Sequence, residues 1–246
     1  MSDAIVHPKT LRQRDMVLFT VSAILLLETL AGAASAGVSS VFWWCFLGVD
    51  FFIPFALISA EMGCAYPEQG GIYAWIRDAF GGRWASRATW CYWVNTAVWI
   101  PSIFIMWGGV FAQMFAPDMA LGWQIALGIA LTWLAVGVNV ITLDAGKWVP
   151  NLGAIIKVII FLAIIGGALV YIQDNGMANP ITLASLTPTW GEGLQYLPLL
   201  IYGMLGFELV SAGSEEMRNP ATDVPRAILY SGAIIITLYI LGTVAV

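Results

Sequence analysis

The basic residues of this chain lie in alternate gaps between long apolar runs, and this distribution restricts the fold more than any other feature. Short cytoplasmic loops of membrane proteins are enriched in Lys and Arg. The residues in these gaps are Lys9, Arg12, Arg14, Arg77, Arg83, Arg87, Lys147, Arg218 and Arg226. The pattern predicts a multi-pass protein of the cell membrane (inner or plasma membrane) with a cytoplasmic N-terminus. The exception is Lys157, which lies inside an apolar run.

The composition supports a membrane protein and excludes several other classes. Hydrophobic residues make up 60% of the chain and charged residues 10%, whereas a soluble domain carries about a quarter charged residues. No basic cluster indicates nucleic-acid binding. The first apolar run is too long for a cleaved signal peptide. The three cysteines lack metal-ligand spacing, so neither a metal nor a cofactor is expected.

Seven apolar runs are long enough to cross a bilayer as helices, since a spanning helix needs about 20 residues. The predicted spans cover residues 16–38, 40–64, 88–116, 121–142, 148–172, 194–215 and 227–246. The chain is therefore predicted to be an all-α membrane protein with seven transmembrane helices. We expect a single transmembrane domain over 1–246, with residues 1–15 as a cytoplasmic tail.

The first and sixth predicted spans combine glycines with a carboxylate at membrane depth. Span one has Glu28 ahead of Gly32, and span six has Gly203 and Gly206 ahead of Glu208. Glycine destabilises a helix interior by about 1 kcal/mol relative to alanine. Interruptions at matching positions of two halves are typical of transporter binding sites, and we expect the first break to follow Glu28. The alternative is close helix packing through small residues.

Two segments resemble the amino acid–polyamine–organocation (APC) superfamily of transporters. The stretch PEQGGIYAWIRDAFGGRW, Pro67–Trp84, resembles the loop that follows the second helix of that superfamily. The triplet Gly206-Phe-Glu, followed by EMRNPATDVPR over Glu216–Arg226, resembles its sixth helix and the next loop. Spans one and two are most similar to the glutamate/GABA antiporter branch, although Leu30–Gly37 stands where many members have a Gly-Ser-Gly break.

The resemblance implies a LeuT-like fold, in which five helices are followed by five inverted helices and the first and sixth are broken. Residues 16–172 would form the first repeat, and residues 194–246 the first two helices of the second. The second repeat would then be incomplete, because the chain stops at Val246 after an apolar run. We expect a truncated transporter that inserts into a membrane but does not transport alone.

The resemblance also implies a substrate site around the broken helices. A substrate carboxylate would meet half-helix amides near Gly32–Ser35, and span six would contact the amine or side chain. The expected substrate-binding residues are Glu28, Gly32, Ala33, Ala34, Ser35, Trp99, Ser102, Gly203, Gly206, Phe207 and Glu208. For Glu208, the alternative is a polar packing contact with span one.

Lys157 is about ten residues inside the fifth apolar run. Burial favours the uncharged form of an amine, which suits a proton-coupling group. The surrounding sequence resembles proton-coupled cationic amino acid transporters, in which a lysine occupies a place that sodium takes in relatives. The alternative is a structural amine bonded to carbonyls of the broken first helix, and the two roles are compatible.

Three charged residues are candidates for a cytoplasmic gate. Glu61 lies near the cytoplasmic end of span two, and Glu216 and Arg218 lie beyond span six. A salt-bridged gate would involve these side chains, and a solvated cluster is the alternative.

Together these features favour a secondary active amino acid transporter, a permease or antiporter that is linked to protons and works by alternating access around the broken first and sixth helices. Its partners would be a small amino acid or amine, protons and the lipid bilayer. A seven-helix receptor is disfavoured by the predicted cytoplasmic N-terminus, while a non-transporting structural membrane protein stays open. An enzyme is not expected, because the only histidine is His7 in the tail and no catalytic cluster is present.

Overall fold

The computed structural model describes residues 11–66, 68, 70–141, 148–188, 192–212, 217 and 219–246. The described residues are mainly helical, and they include an isolated parallel bridge between Leu11 and Met217. The helices are α1 (Gln13–Ile24), α2 (Leu27–Ser35), α3 (Ser39–Leu47), α4 (Ile53–Ala65), α5 (Ile72–Phe80), α6 (Gly82–Phe115), α7 (Leu121–Ile141), α8 (Trp148–Asn175), α9 (Leu183–Leu186), α10 (Leu197–Tyr202), α11 (Leu209–Ala212) and α12 (Pro220–Ala245). A π-helical turn at Gly48–Phe52 joins α3 to α4, and a 3-10 turn at Glu192–Tyr196 precedes α10.

Within the described residues, five helices are long and apolar enough to cross a membrane. They cover Ser39–Ala65, Gly82–Phe115, Leu121–Val138, Val149–Asn175 and Pro220–Ala245. A sixth span results if α1 and α2, which are bent by 43° at a short break, count as one. The described part of the predicted sixth span consists of the 3-10 turn, α10 and α11, and these pieces are too short to be counted as spanning helices.

The helices extend beyond several predicted spans because hydropathy detects the apolar part of a helix and not its beginning. The third predicted span begins at residue 88, whereas α6 begins at Gly82. The seventh begins at residue 227, whereas α12 begins at Pro220. Proline suits the first turn of a helix, where a backbone N–H would have no partner within the helix.

The chain divides into two compact units, and the first comprises Met1–Gly71 with Lys147–Val246. Its central helix is α12, which packs against α1, α3, α4 and α8. Buried residues recur every three or four positions along α12, from Val224 to Thr243. This spacing places them on one face of a helix, so the core of the unit forms around that face.

The second unit, Ile72–Gly146, contains α5, α6 and α7. Two glycines allow α6 and α7 to approach closely. A Cβ atom on Gly108 would lie 2.6 Å from the carbonyl oxygen of Gln124, and one on Gly128 would lie 2.7 Å from the Cα of Ile105. Small residues serve this purpose at many helix contacts in membranes.

Candidate functional site

The first predicted span is broken at Leu25–Leu26, between α1 and α2. A helix end leaves backbone groups without partners inside the helix, and the hydrocarbon region supplies none. Here Tyr239 of α12 provides them. Its hydroxyl donates a hydrogen bond to the carbonyl oxygen of Ile24 at 2.6 Å and accepts one from the amide of Leu26 at 2.9 Å.

Lys157 of α8 contacts the same end of α1. Its ammonium donates a hydrogen bond to the carbonyl oxygen of Ser22 at 2.7 Å, and the side chain is half-buried. Glu28 lies within electrostatic range of this ammonium. The end of α1 is therefore held by polar groups from two other helices, at a point where the local sequence is Leu-Leu-Leu.

The break lies ahead of Glu28, so the prediction that it would follow Glu28 is wrong. Glu28 lies in the first turn of α2, and Gly32–Ser35 form the end of that helix. The small residues suggested a break because glycine and serine weaken a helix. Gly32 instead permits close packing, because a Cβ atom there would overlap the Leu199 side chain, and α2 begins at Leu27.

The second interruption lies between α10 and α11, around Gly206. This glycine has a φ of 130°, which residues with a side chain rarely adopt. The Glu208 carboxylate accepts a hydrogen bond from the Gly206 amide at 3.0 Å through Oε2. Glu208 also interacts with at least one further group. It thus satisfies backbone at the interruption of its own segment.

The two interrupted segments contact one another at their breaks. A Cβ atom on Gly206 would lie 2.7 Å from Cγ1 of Ile24, and one on Gly203 would lie 2.5 Å from Cγ2 of Thr29. A Cβ atom on Gly32 would overlap the Leu199 side chain. The side chain of Thr29 is fully buried at this contact, next to the Tyr239 hydroxyl. Interrupted helices and close packing through glycine therefore occur together, although the sequence offered them as alternative interpretations of the same glycines.

We expect Gly206→Ala to lower the free energy of unfolding by about 1–3 kcal/mol, because the added methyl both collides with Ile24 and strains the backbone. Thermal unfolding in detergent would measure the change. The matched control is Gly167→Ala in α8, where a Cβ atom meets nothing within 4 Å. Equal melting temperatures for the two variants would contradict this account of Gly206.

The sequence model of the amino acid permease family matches residues 11–246. This chain belongs to the amino acid permease family. A probable agmatine/putrescine antiporter of Lactococcus lactis is 33% identical over 91% of this chain and 48% of the relative. An uncharacterized transporter of Legionella pneumophila is 33% identical over 97% and 52%, respectively.

An aspartate/glutamate permease, also from Lactococcus lactis, is 25% identical over 86% of the chain and 46% of the relative. The chain spans about half the length of the curated relatives that it matches. No solved structure matches it significantly. The resemblance to APC transporters is confirmed, and the receptor alternative is not favoured.

The other predicted substrate-binding residues of the chain have different surroundings. Phe207 is fully buried and packs against Phe52, with ring centroids 4.8 Å apart. Ala33 is fully buried, whereas Ser35 is exposed. Ala34 lines a cavity of about 320 Å³ formed by the ends of α2, α8 and α12 with the segment after α8.

Trp99 and Ser102 lie on α6, in the second unit. Trp99 is half-buried, and the exposed Ser102 donates a hydrogen bond from Oγ to the carbonyl oxygen of Trp99 at 2.6 Å. The hydroxyl hydrogen of Ser102 is therefore already used in a hydrogen bond to its own helix.

Of the predicted gate residues, Glu61 is exposed on α4, and Glu216 and Arg218 lie outside the described residues. Two other contacts occur at the predicted cytoplasmic end. Nδ2 of Asn151 on α8 donates a hydrogen bond to Oδ1 of Asp15 on α1 at 3.1 Å, and Leu11 bridges to Met217. Sequence reasoning missed both contacts, since neither residue pair forms a recognisable local motif.

Tyr239 was also missed as a functional candidate. A signal for it was available, because a tyrosine deep in an apolar run needs a partner for its hydroxyl. The sequence could not identify that partner. Among the described residues, no group of three or more His, Cys, Asp and Glu side chains could hold a metal ion.

Proposed function

We propose that this chain carries the substrate site of a secondary transporter that works by alternating access. One observation carries the proposal: two interrupted helical segments meet at their breaks, and a carboxylate lies beside each break. Interrupted helices lining a shared site are the common design of such transporters. In this proposal the helices are the first seven of a five-plus-five inverted repeat, and the N-terminus is cytoplasmic.

The acidic residues at the two breaks favour a cationic substrate. Glu28 lies on the face of α2 that also carries Ala31 and Ser35 at helical spacing, and those two residues are exposed. Glu208 lies beside the second break. A carboxylate on each side would attract an ammonium or guanidinium group. We therefore propose a small amine such as agmatine or putrescine, the compounds for which the relative at 33% identity is named.

An α-amino acid is the second candidate, supported by the beginning of α2. The N-terminus of a helix carries a partial positive charge and free amides that favour an anion. The buried Thr29 side chain lies in the same first turn of α2. A substrate carboxylate bound there would, however, be repelled by the carboxylate of Glu28, which lies in the same first turn. This repulsion makes an amino acid the second candidate.

Agmatine and arginine separate the candidates because they differ only by a carboxylate. In proteoliposomes containing the full-length gene product, we expect agmatine exchange to exceed arginine exchange by at least about tenfold, the factor that 1.4 kcal/mol of repulsion produces. Putrescine, aspartate and glutamate complete the panel. Arginine exchanged as fast as agmatine would favour the amino acid alternative, and the absence of exchange for every compound would reject both.

Coupling to protons is the remaining part of the proposal. Lys157 binds the Ser22 carbonyl and lies within electrostatic range of Glu28. A change in its charge would alter both the contact that holds α1 and the attraction of Glu28 for a cationic substrate. The same side chain would thereby serve the structural and the coupling roles that the sequence left open.

A further inference from the structure

One side chain joins the two halves of the broken first span. The Tyr239 hydroxyl donates to the carbonyl oxygen of Ile24, the last residue of α1, and accepts from the amide of Leu26, which directly precedes α2. A tyrosine hydroxyl has one hydrogen to donate and can also accept. Both capacities are used, so a single group caps the end of one helix and the beginning of the next.

The local sequence provides no substitute for this hydroxyl. The residue before α2 is Leu26, whose side chain cannot accept a hydrogen bond, whereas Ser, Thr, Asp and Asn are the usual residues at this position. The last turn of α1 has no basic residue to interact with its carbonyls. The break therefore depends on a partner that is distant in sequence.

The packing of the ring fixes the position of the hydroxyl. Tyr239 is fully buried and stacks on Trp44, with ring centroids 4.5 Å apart and an interplanar angle of 12°. The edge of Phe161 packs against it with centroids 6.1 Å apart. Trp44 is anchored in turn, because its Nε1 donates to Oγ1 of Thr243 at 2.9 Å. The hydroxyl is held by three helices, α3, α8 and α12.

Tyr239 and Lys157 differ in what they hold. Lys157 contacts the carbonyl oxygen of Ser22 and therefore α1, whereas Tyr239 contacts both sides of the break. If α1 tilted while α2 kept its place, the hydrogen bond to Ile24 would break and the one to Leu26 would persist. The hydroxyl lies where such a tilt would have its pivot.

We propose that Tyr239 is a positioning residue for alternating access, whose hydroxyl is the pivot between α1 and α2. It fixes the two helices in the described arrangement and releases Ile24 when α1 tilts. This inference rests on the transport function proposed above. It assigns Tyr239 to the speed of the conformational change and not to substrate contact, since the side chain is buried in packed rings.

Tyr239→Phe tests this assignment, because the variant keeps the ring and removes the hydroxyl. In proteoliposomes with the full-length gene product and radiolabelled agmatine, we expect the maximal exchange rate to fall about tenfold, as loss of buried hydrogen bonds allows. The KM for agmatine should change by less than about threefold. The control is Tyr230→Phe, an exposed tyrosine of the same helix, which should exchange at the wild-type rate.

A second measurement is independent of transport. Hydrogen–deuterium exchange in nanodiscs without substrate should show the Leu26 amide exchanging at least about tenfold faster in Tyr239→Phe than in the wild type and in Tyr230→Phe. If Tyr239→Phe cannot be purified, slow exchange of Leu26 in the wild type supports the pivot, and rapid exchange overturns it.

The outcomes separate this inference from the proposed function. Wild-type vesicles that are silent with every compound of the panel reject the transport proposal, while amide exchange still decides whether the hydroxyl holds the break. If the wild type exchanges agmatine, and Tyr239→Phe has the wild-type maximal rate, KM and rate of amide hydrogen exchange at Leu26, only the pivot is overturned. A raised KM at an unchanged maximal rate also overturns it, because that result would make Tyr239 a substrate contact.

Discussion

Replacing Glu208 with glutamine is expected to lower the exchange of agmatine by about 10- to 100-fold. Hydrogen bonds to charged groups contribute about 1.5–3 kcal/mol, and the variant loses the charge that would attract the substrate cation. Glutamine can still accept a hydrogen bond from the Gly206 amide, as the carboxylate does, so the fold should survive. Initial rates in proteoliposomes over a range of agmatine concentrations would measure the effect.

The control for this variant is Asp118→Asn, which removes a carboxylate from an exposed position between α6 and α7. It should exchange agmatine at the wild-type rate. If Glu208→Gln matched the control in both maximal rate and KM, Glu208 would not contact the substrate. The alternative interpretation, a polar packing contact with span one, would then hold. Membrane insertion of both variants, checked by their yield and elution profile, should equal that of the wild type.

Replacing Lys157 with methionine is expected to flatten the pH dependence of exchange and to lower the maximal rate about tenfold or more. Methionine resembles lysine in length but has neither its charge nor its donors, so the Ser22 carbonyl would lose its partner. The variant would also lose the electrostatic attraction between the Lys157 ammonium and the Glu28 carboxylate. Rates measured between pH 5 and pH 8 would show whether the slope disappears.

Ile156→Met is the matched control, because it places the same side chain at a neighbouring exposed position of α8. It should keep the pH profile of the wild type. A Lys157→Met variant that is slower but has an unchanged pH profile would leave the lysine a structural role only. A variant with both the rate and the profile of the wild type would remove Lys157 from the mechanism.

The sequence alone was sufficient for the membrane class, the family and the approximate positions of most helices. These properties depend on local averages such as apolar run length, or on contiguous motifs such as Pro67–Trp84. It also indicated that the first and sixth spans are unusual, because charged residues are rare in the interior of a spanning helix and each of these spans carries a carboxylate beside its glycines. Lys157 and Glu208 stood out for the same reason, as charges inside apolar runs.

The position of the first break was decided only by the tertiary structure. The sequence at Leu25–Leu26 favours a continuous helix, while the glycines a turn later suggested a break that is not there. Tyr239, more than 200 residues away in the sequence, bonds the backbone on both sides of the break, and Lys157 bonds the Ser22 carbonyl at the end of α1. Propensity and hydropathy are properties of neighbouring residues, whereas hydrogen bonds to a broken helix in an apolar medium come from whichever helices pack beside it.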